Sequence, residues 1–355
     1  MIKQILLFVL FANFLFGQNS ISKSAFFVDK DNRLIIVFEA KDALKIELKG
    51  PEFVSKSNYT IKDSLGHWTL QTSPMPIGFH YFWLEVDGKK LLLPNAETYF
   101  GYNQDVHGFE VGSDETFFSS KTNKKGSLEG FNVDENPQEN VYLYKPYRFS
   151  TKKKYPLLIL FHGAGEDSSG WIKQGKIQNI VDNLIAEKKI KPIVILLLNG
   201  DKKNEKSYTS LEEETLSELP LVEDDLLNKI LPKVNSKGKF TKYTIAGLSK
   251  GSFQAFKIGT DHPELFSNVG LFSPVLYSGV VADSFAKIKT SSFLKQSYFL
   301  SVGTLESERF LGFKKILEDE FLKRNVKFKT YESPQTYHEW LTWRRSLQEF
   351  LLWIN

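Results

Sequence analysis

Two uninterrupted apolar runs most limit what this chain can become. Leu157-Leu158-Ile159-Leu160-Phe161 and Ile193-Val194-Ile195-Leu196-Leu197-Leu198 offer no polar residue to turn toward water. Apolar runs of strand length fit strands buried on both faces, and such strands belong to parallel sheets with helices on either side. The C-terminal part keeps that rhythm. The spacing predicts helices over 177–188, 222–234 and 310–324 and from about residue 341. It predicts further strands over 240–246, 298–302 and 326–331. Alternating strands and helices give an α/β architecture with a parallel sheet covered on both sides.

The region before it reads differently. Leu34-Ile35-Ile36-Val37-Phe38 is a strand run, and Leu44-Lys45-Ile46-Glu47-Leu48 alternates as a half-buried strand does. Trp68-Thr69-Leu70 and residues 79–86 follow, with Pro74, Pro76 and Gly78 as breakers. Asp87-Gly88 suits a hairpin turn into Leu91-Leu92-Leu93. Short strands at this spacing predict a small all-β, immunoglobulin-like sandwich over 20–111. The polar stretch 112–140 is expected to carry the junction into the second domain, 112–355.

The first 17 residues look like a signal peptide. Lys3 supplies a positive start, residues 5–16 are apolar, and the chain turns polar after Gly17. The run is short for a bilayer span and of the right length for a secretory leader, so no stable membrane span is expected and an exported, periplasmic or secreted chain is. The chain has no cysteine, which excludes disulfides, thiolate metal sites and a cysteine nucleophile. The formal charge of +4 is spread among interleaved lysines and acids, so no basic stripe points to nucleic acid.

The chemistry centres on Gly247-Leu248-Ser249-Lys250-Gly251. This G-x-S-x-G string lies between a predicted strand and a predicted helix, the setting of a nucleophile elbow. Serine needs a base within hydrogen-bond reach, and the base needs an orienting carboxylate. In this architecture they follow in the order serine, acid, histidine. His338 comes just after the strand ending near Tyr331 and is the candidate base. His262 sits in a helix-end turn that favours a surface role. Glu306, in the loop after strand 298–302, is the candidate acid, with Glu308 as the fallback. Two backbone N–H groups should face the developing oxyanion: that of Lys250 and one from His162-Gly163-Ala164-Gly165, at Gly163 or Ala164. No metal or organic cofactor is required.

Several of these segments together resemble the esterase D-like α/β-hydrolases, which include feruloyl, acetylxylan and enterochelin esterases. They are His162-Gly163-Ala164-Gly165 with Trp171, Gly247 to Gly251, Phe272-Ser273, and His338-Glu339-Trp340 with Trp343-Arg344-Arg345. The likeness covers about residues 112–355. Trp68 to Leu70 and Tyr81 to Gly88 resemble the early-set, CBM48-like sandwich that often precedes such enzymes. The resemblance implies Ser249 as nucleophile, His338 as base, Glu306 as acid where Asp is commoner, and Trp171 near the substrate. This chain departs from the family at Lys250, usually Met, and at Ser252 and Tyr337, usually Gly. Lys250 has two open readings: a positive potential favouring an anionic substrate or the oxyanion, or a side chain reaching solvent.

The expectation is an exported serine carboxylic-ester hydrolase that removes feruloyl or acetyl groups from plant polysaccharide through an acyl-enzyme. A siderophore esterase is the second enzymatic reading. A carbohydrate-binding protein on an inactive hydrolase fold is the non-enzymatic one.

Overall fold

The computed structural model describes residues 24–55, 58–112, 115–132, 140–202, 207–277, 284–286 and 296–355. The signal-peptide segment 1–17 lies outside them. The chain divides into two compact units, Met1–Met75 with Trp83–Ala96, and Pro76–Phe82 with Glu97–Asn355.

The first unit is built of antiparallel strands. β1 (Ser24–Val28), β2 (Leu34–Glu39), β5 (His67–Thr72) and β4 (Asn58–Lys62) form one sheet in the order β1-β2-β5-β4. β3 (Ile46–Lys49), ahead of the one-turn helix α1 (Glu52–Ser55), pairs with the second half of β6 (Gly78–Val86). That half also pairs with β7 (Lys89–Leu91). The expected hairpin at Asp87-Gly88 is present, with positive φ at both residues, as a two-residue turn requires. The Asp87 carboxylate also accepts the Leu44 and Lys45 amides, just ahead of the first residue of β3. Leu44 is therefore outside the strand and exposed.

The second unit holds the eight-stranded sheet β10-β11-β13-β12-β14-β15-β16-β17. Its central strands β13 (Val194–Leu198), β12 (Lys154–Phe161), β14 (Lys239–Leu248), β15 (Phe266–Phe272), β16 (Ser297–Gly303) and β17 (Lys327–Ser333) are parallel. The two apolar runs are β12 and β13, with Leu157 to Phe161 all fully buried. At one edge β10 (Ser127–Asn132) and β11 (Asn140–Lys145) run antiparallel. β10 falls within the stretch expected to be a junction. Its burial pattern shows no buried position, so it lacks the apolar signal of the inner strands.

Helices cover both faces. Phe253 and Phe256 of α6 (Lys250–Asp261), with Leu317 and Phe321 of α7 (Glu308–Lys323), share one core with Leu157, Ile159, Ile245 and Leu300. On the other face Phe350 of α8 (Trp340–Ile354) meets Phe272 and Phe299 edge-on or tilted. Burying each such side chain contributes roughly 1.5–3 kcal/mol. α2 (Gly170–Lys173) and α3 (Ile177–Ala186) link β12 to β13.

The helix expected over 222–234 is longer and begins earlier. α4 (Leu211–Asp224) runs into a π-helical stretch (Asp225–Ile230) and then α5 (Leu231–Lys237). Ser210 caps α4 by accepting the Glu213 amide, and Glu213 reaches back to the Thr209 amide. Pro220 inside the helix and three acidic residues in its first turn masked it in the sequence.

Part of the β-rich region belongs with the α/β unit. The first half of β6 pairs with β9 (Gln104–Val111), and β9 with β8 (Thr98–Gly101). Asn103, in the β8–β9 turn, donates its amide to the Gly165 carbonyl at 2.9 Å. Arg344 of α8, fully buried, grips both oxygens of Glu110 and donates to the Gln174 carbonyl. Arg345 likewise holds Glu115, Ser333 and Pro334.

Candidate active site

The chain passes from β12 to β13 on one side and then crosses to β14 on the other. The carboxyl ends of β12 and β14 thus flank the switch point of the sheet, where open α/β sheets bind ligands. Ser249 follows β14 there with φ 51° and ψ −120°, a conformation that costs a non-glycine residue on the order of 1–3 kcal/mol. Its flanking glycines are required by space. A Cβ at Gly247 would lie 2.1 Å from the Gly251 carbonyl oxygen, and one at Gly251 would lie 2.2 Å from that of His162.

His338 stands in the loop between β17 and α8. Its Nε2 lies 3.1 Å from Ser249 Oγ, and its Nδ1 lies 2.8 Å from Glu306 Oε2. The two residues are 89 positions apart in sequence. Glu306 is buried and its other oxygen accepts the Ser273 hydroxyl at 2.6 Å and the Gly303 amide at 2.8 Å. Trp343 donates its indole N–H to Ser273 Oγ and turns an edge to the His338 ring, while Phe310 of α7 stacks on the ring at 4.0 Å. These contacts fix the imidazole plane and leave Nε2 for the serine. Glu308, the fallback acid, is the first residue of α7. His262 sits beyond the far end of α6, paired with Glu223.

Glu339 and Trp340 anchor the start of α8. Glu339 caps the helix by accepting the Leu341 and Thr342 amides and also accepts the Phe79 amide of β6. Burial, partly offset by these amides and Arg344, pushes its carboxyl up to about 8. Trp340 donates its indole N–H to Tyr81 Oη and Glu166 Oε1, each at 2.9 Å.

The His162–Gly165 loop runs close beside the serine. A Cβ on Gly163 would lie 3.4 Å from that of Ser249. Lys250 is the first residue of α6, so its N–H has no acceptor within the helix. His162 braces the loop from behind, with Nδ1 on the Gly163 carbonyl and Nε2 accepting the Gly200 amide.

Two expectations are corrected. Trp171 has no exposed surface: its indole donates to the Phe161 carbonyl and packs edge-on against Trp340 and Phe272. It supports the loop from below and offers no face to a substrate. Lys250 neither reaches solvent nor presents free positive charge. It is 1% exposed and donates to Asp201 at 2.8 Å, Glu218 at 3.1 Å and Glu214 at 3.2 Å. Burial alone would lower its pKa, but the three carboxylates outweigh that and hold the ammonium above the ordinary lysine value. Glu218 in turn is pushed up by its own desolvation. These acids form a cluster with the spacing of a cation site, and the ammonium fills it. Ser252, the second departure from the family, is also buried; it donates to the Ser249 carbonyl and accepts the Val275 amide. Tyr337, next to His338 in the chain, is exposed.

No sequence pattern assigned Glu166, Tyr81 or Phe310 a place at the site. The Ser210-x-x-Glu213 capping box would have found α4 and, with it, two partners of Lys250.

The sheet order and the strained serine turn define an α/β-hydrolase fold. The chain belongs to the family described as "Putative esterase", matched over residues 135–354. A curated relative, an endo-1,4-beta-xylanase/feruloyl esterase of Xylanibacter ruminicola, is 30% identical over 303 residues. That match takes in 81% of this chain and 40% of the relative, so the chain spans well under half of that protein. Among solved structures, a ferulic acid esterase from Anaeromyces mucronatus in complex with ferulic acid superposes with TM-score 0.58 at 15% identity. It covers 68% of this chain and 95% of its own. The enterobactin esterase of Shigella flexneri superposes with TM-score 0.66 at 14% identity, over 93% of this chain and 95% of its own. At these identities the likeness is one of fold.

Proposed function

We propose that the protein is an exported serine carboxylic-ester hydrolase working through a Ser249-His338-Glu306 triad and an acyl-enzyme. The observation that carries the reading is the unbroken hydrogen-bonded chain from Ser249 Oγ through His338 to Glu306. His338 Nε2 takes the serine proton as Oγ attacks the ester carbonyl. The oxyanion is held by the Lys250 N–H and by the Gly163–Ala164 backbone. As the C–O bond breaks, His338 returns the proton to the leaving alkoxide. Water, deprotonated by His338, then attacks the acyl carbon and frees the acid. Glu306 orients the ring and stabilises the imidazolium at each stage.

The substrate class we propose is a feruloyl or acetyl ester on plant polysaccharide, in line with the name of the curated relative. Segment 1–17 is read as a signal peptide and 20–111 as an early-set, CBM48-like domain ahead of the hydrolase domain, 112–355. The departures at Lys250 and Ser252 leave the triad contacts in place, which argues for an active rather than an inactive hydrolase. The test compares methyl ferulate, acetylated xylan and enterobactin as substrates of the wild type and of Ser249→Ala. Release of ferulate or acetate by the wild type alone is expected. Turnover of enterobactin alone would move the substrate to the siderophore class. Equal rates in the two proteins would end the catalytic reading.

A further inference from the structure

The mechanism leaves one group beside the reacting atoms without a task. Glu166 closes the His162–Gly165 loop, its amide on the Gly163 carbonyl at 3.4 Å. The residue is 6% exposed. Oε1 accepts Tyr81 Oη at 2.8 Å and Trp340 Nε1 at 2.9 Å. Oε2 has no partner at ordinary hydrogen-bond distance among the described residues. It lies 3.7 Å from where a Cβ on Gly163 would be, and that same point is 3.4 Å from Ser249 Cβ. The carboxyl thus lies close beside the backbone that flanks the nucleophile.

We propose that Glu166 is a positioning residue that must stay uncharged for the reaction to run. Its carboxyl ties the oxyanion loop to Tyr81 of β6 and, through Trp340, to the start of α8, two residues beyond His338. The inference rests on reading Ser249 as the nucleophile and this loop as an oxyanion donor. Its physical basis is the sign of the charge. A carboxylate with one oxygen unpaired in a dry site is costly. Worse for catalysis, it sets a negative potential behind N–H groups meant to stabilise a second negative charge. A neutral carboxyl keeps both hydrogen bonds to Oε1 and removes that opposition.

Burial raises the Glu166 carboxyl to about 7, against the lowering effects of Tyr81, His162, Trp340 and the Gly163 backbone. The groups that face it can be named by element. His162 lies on its own loop, Tyr81 on β6 and Tyr102 on the β8–β9 turn. Trp340 of α8 is not titratable, and Gly170 of α2 carries no side chain. Glu339, next to Trp340, is turned to the amides of Phe79, Leu341 and Thr342.

The test follows kcat for p-nitrophenyl acetate from pH 6 to 9.5 in the wild type, Glu166→Gln and Glu339→Gln, with Ser249→Ala as background. The wild type is expected to lose at least about tenfold in kcat between pH 7 and 9, the scale of an unscreened charge several ångströms from the oxyanion. Glu166→Gln keeps an acceptor for Tyr81 and Trp340 but cannot ionise. It should stay flat over that range and exceed the wild type at pH 9. A fall in Glu166→Gln matching that of the wild type would overturn the proposal. So would a fall abolished only in Glu339→Gln. Should Glu166→Gln fail to fold, Tyr81→Phe replaces it: losing a donor that favours the carboxylate should move the fall to higher pH. An unmoved midpoint there would likewise overturn it. Activity surviving in Ser249→Ala would defeat the underlying catalytic reading, whereas an inactive Ser249→Ala with an unaltered pH profile in Glu166→Gln defeats this inference alone.

Discussion

The two sides of Ser249 treat negative charge in opposite ways. On the base side, Glu306 has donors on both oxygens: His338 on one, Ser273 and Gly303 on the other. That supply fixes the carboxylate in place, which a group orienting an imidazolium needs. On the oxyanion side, Lys250 is surrounded by three acids, and one Glu166 oxygen has no hydrogen-bond partner among the described residues. There, positive charge is neutralised and negative charge is resisted. The contrast shows that hydrogen-bond supply, rather than residue type, decides what a buried glutamate can do.

The comparison is broken most severely at its centre. Ser249→Ala and His338→Ala should each lower kcat by roughly 10⁴–10⁶, the range seen when members of such triads are removed. Steady-state hydrolysis of an aryl ester measures this. Glu306→Gln, which keeps the shape but loses the charge, should cost about 10⁴ in kcat with little change in KM. A loss confined to KM would instead mark Glu306 as a substrate contact.

On the opposite side the expected effect is on stability. Lys250→Met leaves Glu218 and Asp201 without their cation and should cost about 3–5 kcal/mol in urea unfolding at pH 7. The deficit should shrink as pH falls and those carboxyls protonate. A variant as stable as the wild type would mean the cluster is solvated in solution.

The last effect concerns Glu339 and is read only as a pH slope. Its carboxyl is raised in the folded chain, so folding favours the protonated form. The stability it contributes is complete below the unfolded pKa near 4.5 and is lost as pH rises through about 8. The melting temperature should therefore fall from pH 5 to 9, by roughly 2–4 °C for each kcal/mol lost. Glu339→Gln should flatten that slope.

Much of this arrangement was legible in the sequence, for physical reasons that differ by element. β12 and β13 announce themselves because a strand buried on both faces has no polar positions. The serine turn is legible because Gly247 and Gly251 leave no room for a Cβ. Chain order, position just past the ends of predicted strands and the family resemblance brought Glu306 and His338 into consideration. β10 was harder, since at the sheet edge none of its residues is buried and no apolar run marks it. α4 was hidden by its acids and Pro220. Trp171 and Lys250 were misread for one reason: a side chain's direction depends on the layer beneath it. Glu214 and Glu218, which decide where Lys250 points, lie more than thirty positions earlier.

The most direct test of the account is to catch the covalent intermediate. Mass spectrometry of enzyme quenched during turnover of methyl ferulate, followed by peptide mapping, should find one acyl group, attached at Ser249. Continued turnover with no acylated peptide, or an acyl group on another residue, would contradict it.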